Sequence, residues 1–168
     1  MNDYIIKDSR ITMKPTLKLN IPEGWHLDYE LKEFTDNETG FSSEYEVYII
    51  TPDQSESISH VVIYRYLENA TISPEEYLQD SAVEYLNSLV IPDSLRPSLD
   101  DFLYHYNIGG FDACCCIFQE PGEAEAEVKV VWELSDEQIV DATVHILDYA
   151  DGAGEVDALD FINSLFGN

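Results

Sequence analysis

Three consecutive cysteines, Cys114, Cys115 and Cys116 in the stretch FDACCCIFQE, are the residues of this chain best suited to soft-metal or thiol chemistry. A thiolate is both a nucleophile and a metal ligand. On an extended backbone side chains alternate, so Cys114 and Cys116 share one face and Cys115 points to the other with Phe111, Ala113 and Ile117. Gly109-Gly110 just before them has the composition of a two-residue hairpin turn, which fixes the cross-strand register. His105 then stands opposite Cys114, and Tyr104 opposite Cys115. Cys114, Cys116 and His105 are therefore the candidate metal ligands. A structural zinc site needs four ligands, usually supplied from turns. A covered sheet would instead bury these thiols and make them inert, and unpaired cysteine is among the most buried residue types. The favoured reading is a strand inside a core, with no metal and no other cofactor.

Other chemistry has less support. Phosphate-loop, dinucleotide-fingerprint, nucleophile-elbow and His-Glu-x-x-His patterns are absent, so no catalytic residue can be assigned. His26, His60, His105 and His145 are scattered, three of them in strand-like runs, and read as packed or rim histidines. In the acidic stretch from Asp148 to Asp160, a calcium loop would need oxygen donors where Ala150, Gly152 and Leu159 stand. That segment reads as a loop entering a helix. Most of the eleven tyrosines lie in strand-like runs and suit a core. Any that reach an exposed sheet face would suit a protein-binding surface, because tyrosine adds contact area at low entropy cost.

Charge narrows the partners. The 168 residues carry 34 acidic and 8 basic side chains, a net of −26. Four of the basic ones, Lys7, Arg10, Lys14 and Lys18, fall at the very start. Such a chain repels phosphate backbones and anionic lipid, so neither nucleic acid nor a membrane surface is an expected partner. It attracts cationic groups and basic protein patches. No apolar run approaches the length of a spanning helix, and the first residues lack the apolar centre of a secretory signal. Three crowded cysteines are not a disulfide framework. A cytoplasmic location is expected, and the sequons at Asn37 and Asn69 are read as chance matches.

The elements that must position these residues follow from periodicity. After a polar lead over residues 1–16, Leu17, Leu19 and Ile21 alternate as a short strand that breaks at Pro22-Glu23-Gly24. Tyr29 to Ser43 is polar and reads as a loop. Glu44 to Thr51 and Ser57 to Tyr66 are rich in β-branched and aromatic residues and flank a turn, a hairpin pattern. Ser73 (N-cap), Pro74 (first helical position) and Glu76 (capping box) open a long middle helix that stops near Val90, ahead of Pro92. The segment from Ile91 to Asp100 is a connection. Four strand-like runs follow, over Phe102 to Ile108, Phe111 to Phe118, Ala124 to Leu134 and Ile139 to Asp148. A C-terminal helix carries Val156, Leu159, Ile162 and Phe166 on one stripe. The predicted class is α+β in one domain over residues 17–168, with about seven antiparallel strands and the two helices covering them.

The order of these signals resembles the PsbP-like domains. LNIPEGW resembles their Phe/Leu-x-Ile/Val-Pro-x-Gly-Trp opening, while ISPEEYLQD, the strand after IGGFDA and the closing ALDFINSLF resemble their later landmarks. The superfamily also holds the Ran guanine-nucleotide release factor and bacterial DUF1795-type proteins. The resemblance covers roughly Leu17 to Phe166 and implies an α/β/α sandwich around an antiparallel sheet. Its members are mostly non-enzymatic: extrinsic photosystem subunits, a Ran-binding factor, envelope lipoproteins and adaptor chaperones for secreted toxins. No functional residue carries over by position. Charge, size and resemblance together lead to the expectation of a non-enzymatic, cytosolic, acidic module that binds a basic or amphipathic protein partner, as a bacterial toxin-immunity or adaptor-type protein would. The alternative is a small-molecule or lipid carrier with a pocket between sheet and helix.

Overall fold

Gly109 and Gly110 have φ of +56° and +92°, the left-handed backbone that a two-residue hairpin turn requires. They join β4 (Tyr104–Ile108) to β5 (Phe111–Phe118), and the register is the expected one, with His105 opposite Cys114 and Tyr104 opposite Cys115. A Cβ at Gly110 would meet no atom within 4 Å, so a substitution there is opposed by the backbone conformation and not by lack of space for its β-carbon. Gly110→Val is expected to cost about 1–2 kcal/mol, and Gly110→Asn less, because asparagine tolerates this region. Urea midpoints of the two variants check the difference.

In this computed structural model the described residues are 17–166, apart from 36, 41, 55–56, 67–71, 121, 136–137 and 150–152. The polar lead and the sequon at Asn69 lie outside them. β1 (Trp25–Thr35), β2 (Ser42–Pro52), β3 (Ile58–Tyr66), β6 (Ala126–Ser135) and β7 (Gln138–Ile146) complete one seven-stranded antiparallel sheet, ordered β1-β2-β3-β7-β6-β5-β4. With α1 (Pro74–Ser88), a short α2 (Leu99–Phe102) and α3 (Ala153–Phe166), the class is α+β as predicted. α1 starts as the sequence indicates: the Ser73 side chain accepts from the Glu76 N–H at 3.1 Å, with Pro74 in the first turn. It is 15 residues long, about four turns.

The two faces of the sheet carry different helices. Tyr48, Ile63, Val130, Trp132 and Cys115 lie on one face and pack with Leu159, Ile162 and Leu165 of α3. Cys114, Cys116, Val131 and Ile139 lie on the other and pack with Leu78 of α1. The Trp132 ring meets Phe166 edge-on at 4.8 Å. At the end of the α3 face the apolar pattern is interrupted. Arg65 Nη1 donates to Glu46 Oε1 at 3.0 Å, Glu46 also accepts from the Tyr29 hydroxyl, and Arg65 Nη2 donates to Gln138. Glu46 is 2% and Arg65 7% exposed, a buried ion pair that periodicity could not foresee.

Three expectations are corrected. Residues 17–22 form no strand. Leu17 and Leu19 are buried, but the Leu17 N–H donates to the Tyr48 hydroxyl at 3.2 Å and the Asn20 N–H to the Leu165 carbonyl at 2.8 Å. The segment thus caps the end of α3 instead of joining a ladder. Tyr29 to Ser43 is not a loop, since β1 runs from Trp25 to Thr35 along the sheet's edge. Its Asp28, Glu30 and Lys32 hid it, yet charge on an edge strand is what deters edge-to-edge pairing. The strand expected from Phe102 begins at Tyr104, because Ser98 caps α2 by accepting from the Asp101 N–H at 3.2 Å.

Candidate protein-binding face

Alternation puts Tyr45, Val47 and Ile49 of β2 on the α1 face, opposite Tyr66, Tyr64 and Val62 of β3. β7 continues the face with Asp141, Thr143 and His145, and β6 with Glu127 and Lys129. α1 lies on β5 and β6, so its cover falls on that half of the sheet. On the other half, Tyr45, Val62 and Tyr64 are half-buried and Ile49 is 38% exposed, while Tyr66 stands at the boundary with its ring 5.9 Å from Tyr77 of α1. Tyr45 and Tyr66 rings lie 5.7 Å apart, and Tyr45 and Tyr64 6.2 Å, which makes a continuous aromatic patch. Asp28 and Glu30 on β1 border it, with Lys32 next to Glu30 at 3.8 Å.

A polar knot anchors α1 where the covered half begins. The Tyr77 hydroxyl of α1 donates to Asp141 at 2.8 Å, Lys129 Nζ donates to the same carboxylate at 3.3 Å, and the Thr143 hydroxyl donates to its other oxygen at 3.3 Å. Asp141 is 2% exposed. Burial, then the Asp141 charge, pushes the Tyr77 hydroxyl far above its ordinary pKa, so it stays a donor. Every strong group in this knot has a partner, and its chemistry is that of attachment.

The cysteines lie under that cover. Cys114, Cys115 and Cys116 are fully buried, with Cys114 and Cys116 on the α1 face and Cys115 on the other, as alternation requires. Burial is the first cause pushing Cys114 up to about 11 and Cys115 up to about 12, and it raises Cys116 as well. His105 is the Cα partner of Cys114, but its side chain is half exposed and turned to carboxylates. Nδ1 lies 3.1 Å from Asp112 Oδ1 and Nε2 3.4 Å from Glu75 Oε1. Among the described residues no three or more His, Cys, Asp or Glu side chains are already gathered to hold a metal. The expected result with a disulfide thiol reagent near pH 8 is no reaction in the native protein and three equivalents after unfolding. Rapid native reaction would place a thiol at the surface.

Sequence reasoning missed two arrangements on this face. His60 and His145 are cross-strand partners with stacked rings, centroids 5.0 Å apart and planes at 7°. Burial and the neighbouring His145 lower the His60 pKa, which keeps it neutral. The second is a cavity of about 410 Å³ at the end of that row, lined by His145, Phe118, Glu120, Glu123, Glu125 and Glu127. A further cavity of about 440 Å³ lies at the β1–β2 end, between Trp25, Asp53 and Ile58. The His60 pairing depends on β3 meeting β7, two strands no hairpin connects, so only the alternation within each strand was legible.

Among the described residues no helix is long and apolar enough to cross a membrane. No family model and no curated protein matches the chain. A crystal structure from Bacteroides thetaiotaomicron VPI-5482 at 1.50 Å resolution is similar over 88% of this chain and 42% of that one, with a TM-score of 0.45 and 13% identity, so this chain spans less than half the length of that protein.

Proposed function

We propose that the chain is a non-enzymatic protein-binding module of the cytoplasm, whose half-open sheet face takes a basic or amphipathic segment of a partner, as an immunity or adaptor-type protein would. The observation that carries this is the aromatic patch of Tyr45, Tyr64 and Tyr66 with Ile49 and Val62, on a chain of net charge −26. The half-buried tyrosines and the exposed Ile49 supply area that is dry once covered, and the surrounding carboxylates select cations and speed encounter. Asp141, Lys129 and Tyr77 are engaged with one another and the cysteine thiols are buried, which supports binding over catalysis as the role of this face. α1 on one face of the sheet and α3 on the other support an α/β/α sandwich of the PsbP-like kind as the architecture behind this function.

The test is capture of a partner by the immobilised chain at two ionic strengths. A specific basic partner binds at about 0.1 M salt and is released, in part or whole, toward 1 M, where screening shortens from about 10 Å to about 3 Å. Its binding must also respond to Tyr64→Ala. Capture that ignores both salt and Tyr64 counts against this function.

A further inference from the structure

We propose that His60 and His145, with Glu127 as third donor, form a binding site for one divalent transition-metal ion of the Cu²⁺, Ni²⁺ or Zn²⁺ class. The site is independent of the protein-binding function above. His60 on β3 faces His145 on β7, and His145 faces Glu127 on β6, so three donors stand in one row across adjacent strands. Neighbouring strands are about 4.8 Å apart, which sets the spacing of the row. It lies on the sheet face half of which α1 leaves open, with the His145 side chain 23% exposed.

Each ring has polar neighbours that can fix one of its nitrogens. Ser59 Oγ lies 3.1 Å from His60 Nδ1. An Nδ1–H held by that hydroxyl leaves the Nε2 lone pair free, the division of labour that ligating histidines use. His145 has Glu127 Oε1 3.8 Å from Nδ1 and Glu125 Oε2 3.6 Å from Nε2. Both carboxylates stand just beyond hydrogen-bond distance, one beside each ring nitrogen, so Glu125 can turn to the N–H while Glu127 shares the ion.

The rings are parallel at 5.0 Å and not yet convergent, in keeping with the absence of a preformed cluster among the described residues. Metal–nitrogen bonds of about 2.0–2.1 Å bring two ligating nitrogens to roughly 3.3 Å from each other. Binding therefore requires rotation of the two rings about their side-chain torsions, with water in the remaining positions. Two imidazoles and a carboxylate select this class over Mg²⁺ and Ca²⁺, which prefer all-oxygen shells. The soft alternative is closed off, since all three thiols are buried. Glu120 and Glu123 line the adjoining cavity, and their field raises the local concentration of dications.

The experiment is calorimetric titration of the full chain with Cu²⁺ and with Zn²⁺ in a non-coordinating buffer, together with electron paramagnetic resonance of the copper form. The expected result is one equivalent bound with a dissociation constant on the order of 1 µM, and hyperfine structure from two nitrogens. His60→Gln and His145→Gln should each weaken binding about tenfold or more with an unchanged circular dichroism spectrum. His105→Ala and His26→Ala should not weaken it. Binding without nitrogen coupling, or binding that survives both glutamine variants, would assign the ion to carboxylates and overturn the proposal. Failure to bind one equivalent more tightly than about 0.1 mM would do so too.

Discussion

Replacing Arg65 with Ala lowers folding stability by about 3–5 kcal/mol, the cost of removing one partner of a buried ion pair. Arg65 Nη1 is 3.0 Å from Glu46 Oε1, and the carboxylate beneath it is 2% exposed. In the variant the Tyr29 hydroxyl still donates to Glu46, but Glu46 loses the guanidinium that donates to its Oε1. At this chain length the loss appears as a fall of roughly 10 °C in melting temperature. The desolvated pair itself is worth little net energy, because each charge gave up water to be there. The joint replacement of Arg65 by Met and Glu46 by Leu should therefore recover most of what the single change loses. Thermal melts of the single and double variants decide the matter. A double variant as unstable as Arg65→Ala would mean that Gln138, Tyr29 and their neighbours depend on the charges individually.

The same pair marks where sequence reading stops. β4–β5 was legible because Gly109-Gly110 determines its own turn and therefore its register, down to His105 facing Cys114. α1 was legible because Ser73, Pro74 and Glu76 state its start locally. β1 was not, since an edge strand with one wet side and a row of exposed charges lacks the apolar alternation used to find strands. The neighbours β3 and β7 are separated by α1, α2 and three further strands in sequence. Whatever depends on their meeting, the His60–His145 stack and the Tyr64–Asp141 pairing included, could not be read from either strand alone. The three cysteines were placed on their correct faces by alternation, yet which helix covers each face is a tertiary fact.

The second large effect concerns the open face. Tyr64 forms a triangle with Tyr45 and Tyr66, its ring centroid 6.2 and 6.3 Å from theirs, and pairs across strands with Val47, midway between Tyr45 and Ile49 on β2. It stands at the centre of the patch, where contact residues contribute most to affinity. Truncation to Ala should cost about 2 kcal/mol or more in partner binding, roughly thirtyfold. Ile49→Arg should weaken a basic partner further, because it removes apolar area and adds a like charge at a site already 38% exposed. Neither residue is fully buried, so stability should change by less than about 1 kcal/mol. Val90, 95% exposed beyond the end of α1, is the control position: Val90→Arg changes net charge by the same amount away from the patch.

The most direct measurement is the partner's dissociation constant for wild type, Tyr64→Ala, Ile49→Arg and Val90→Arg at one salt concentration. Binding through this face requires the two patch variants to fall together while Val90→Arg stays within about twofold of wild type. Equal weakening by Ile49→Arg and Val90→Arg, with Tyr64→Ala unaffected, would mean that charge alone holds the partner and that the tyrosine face is not its docking surface.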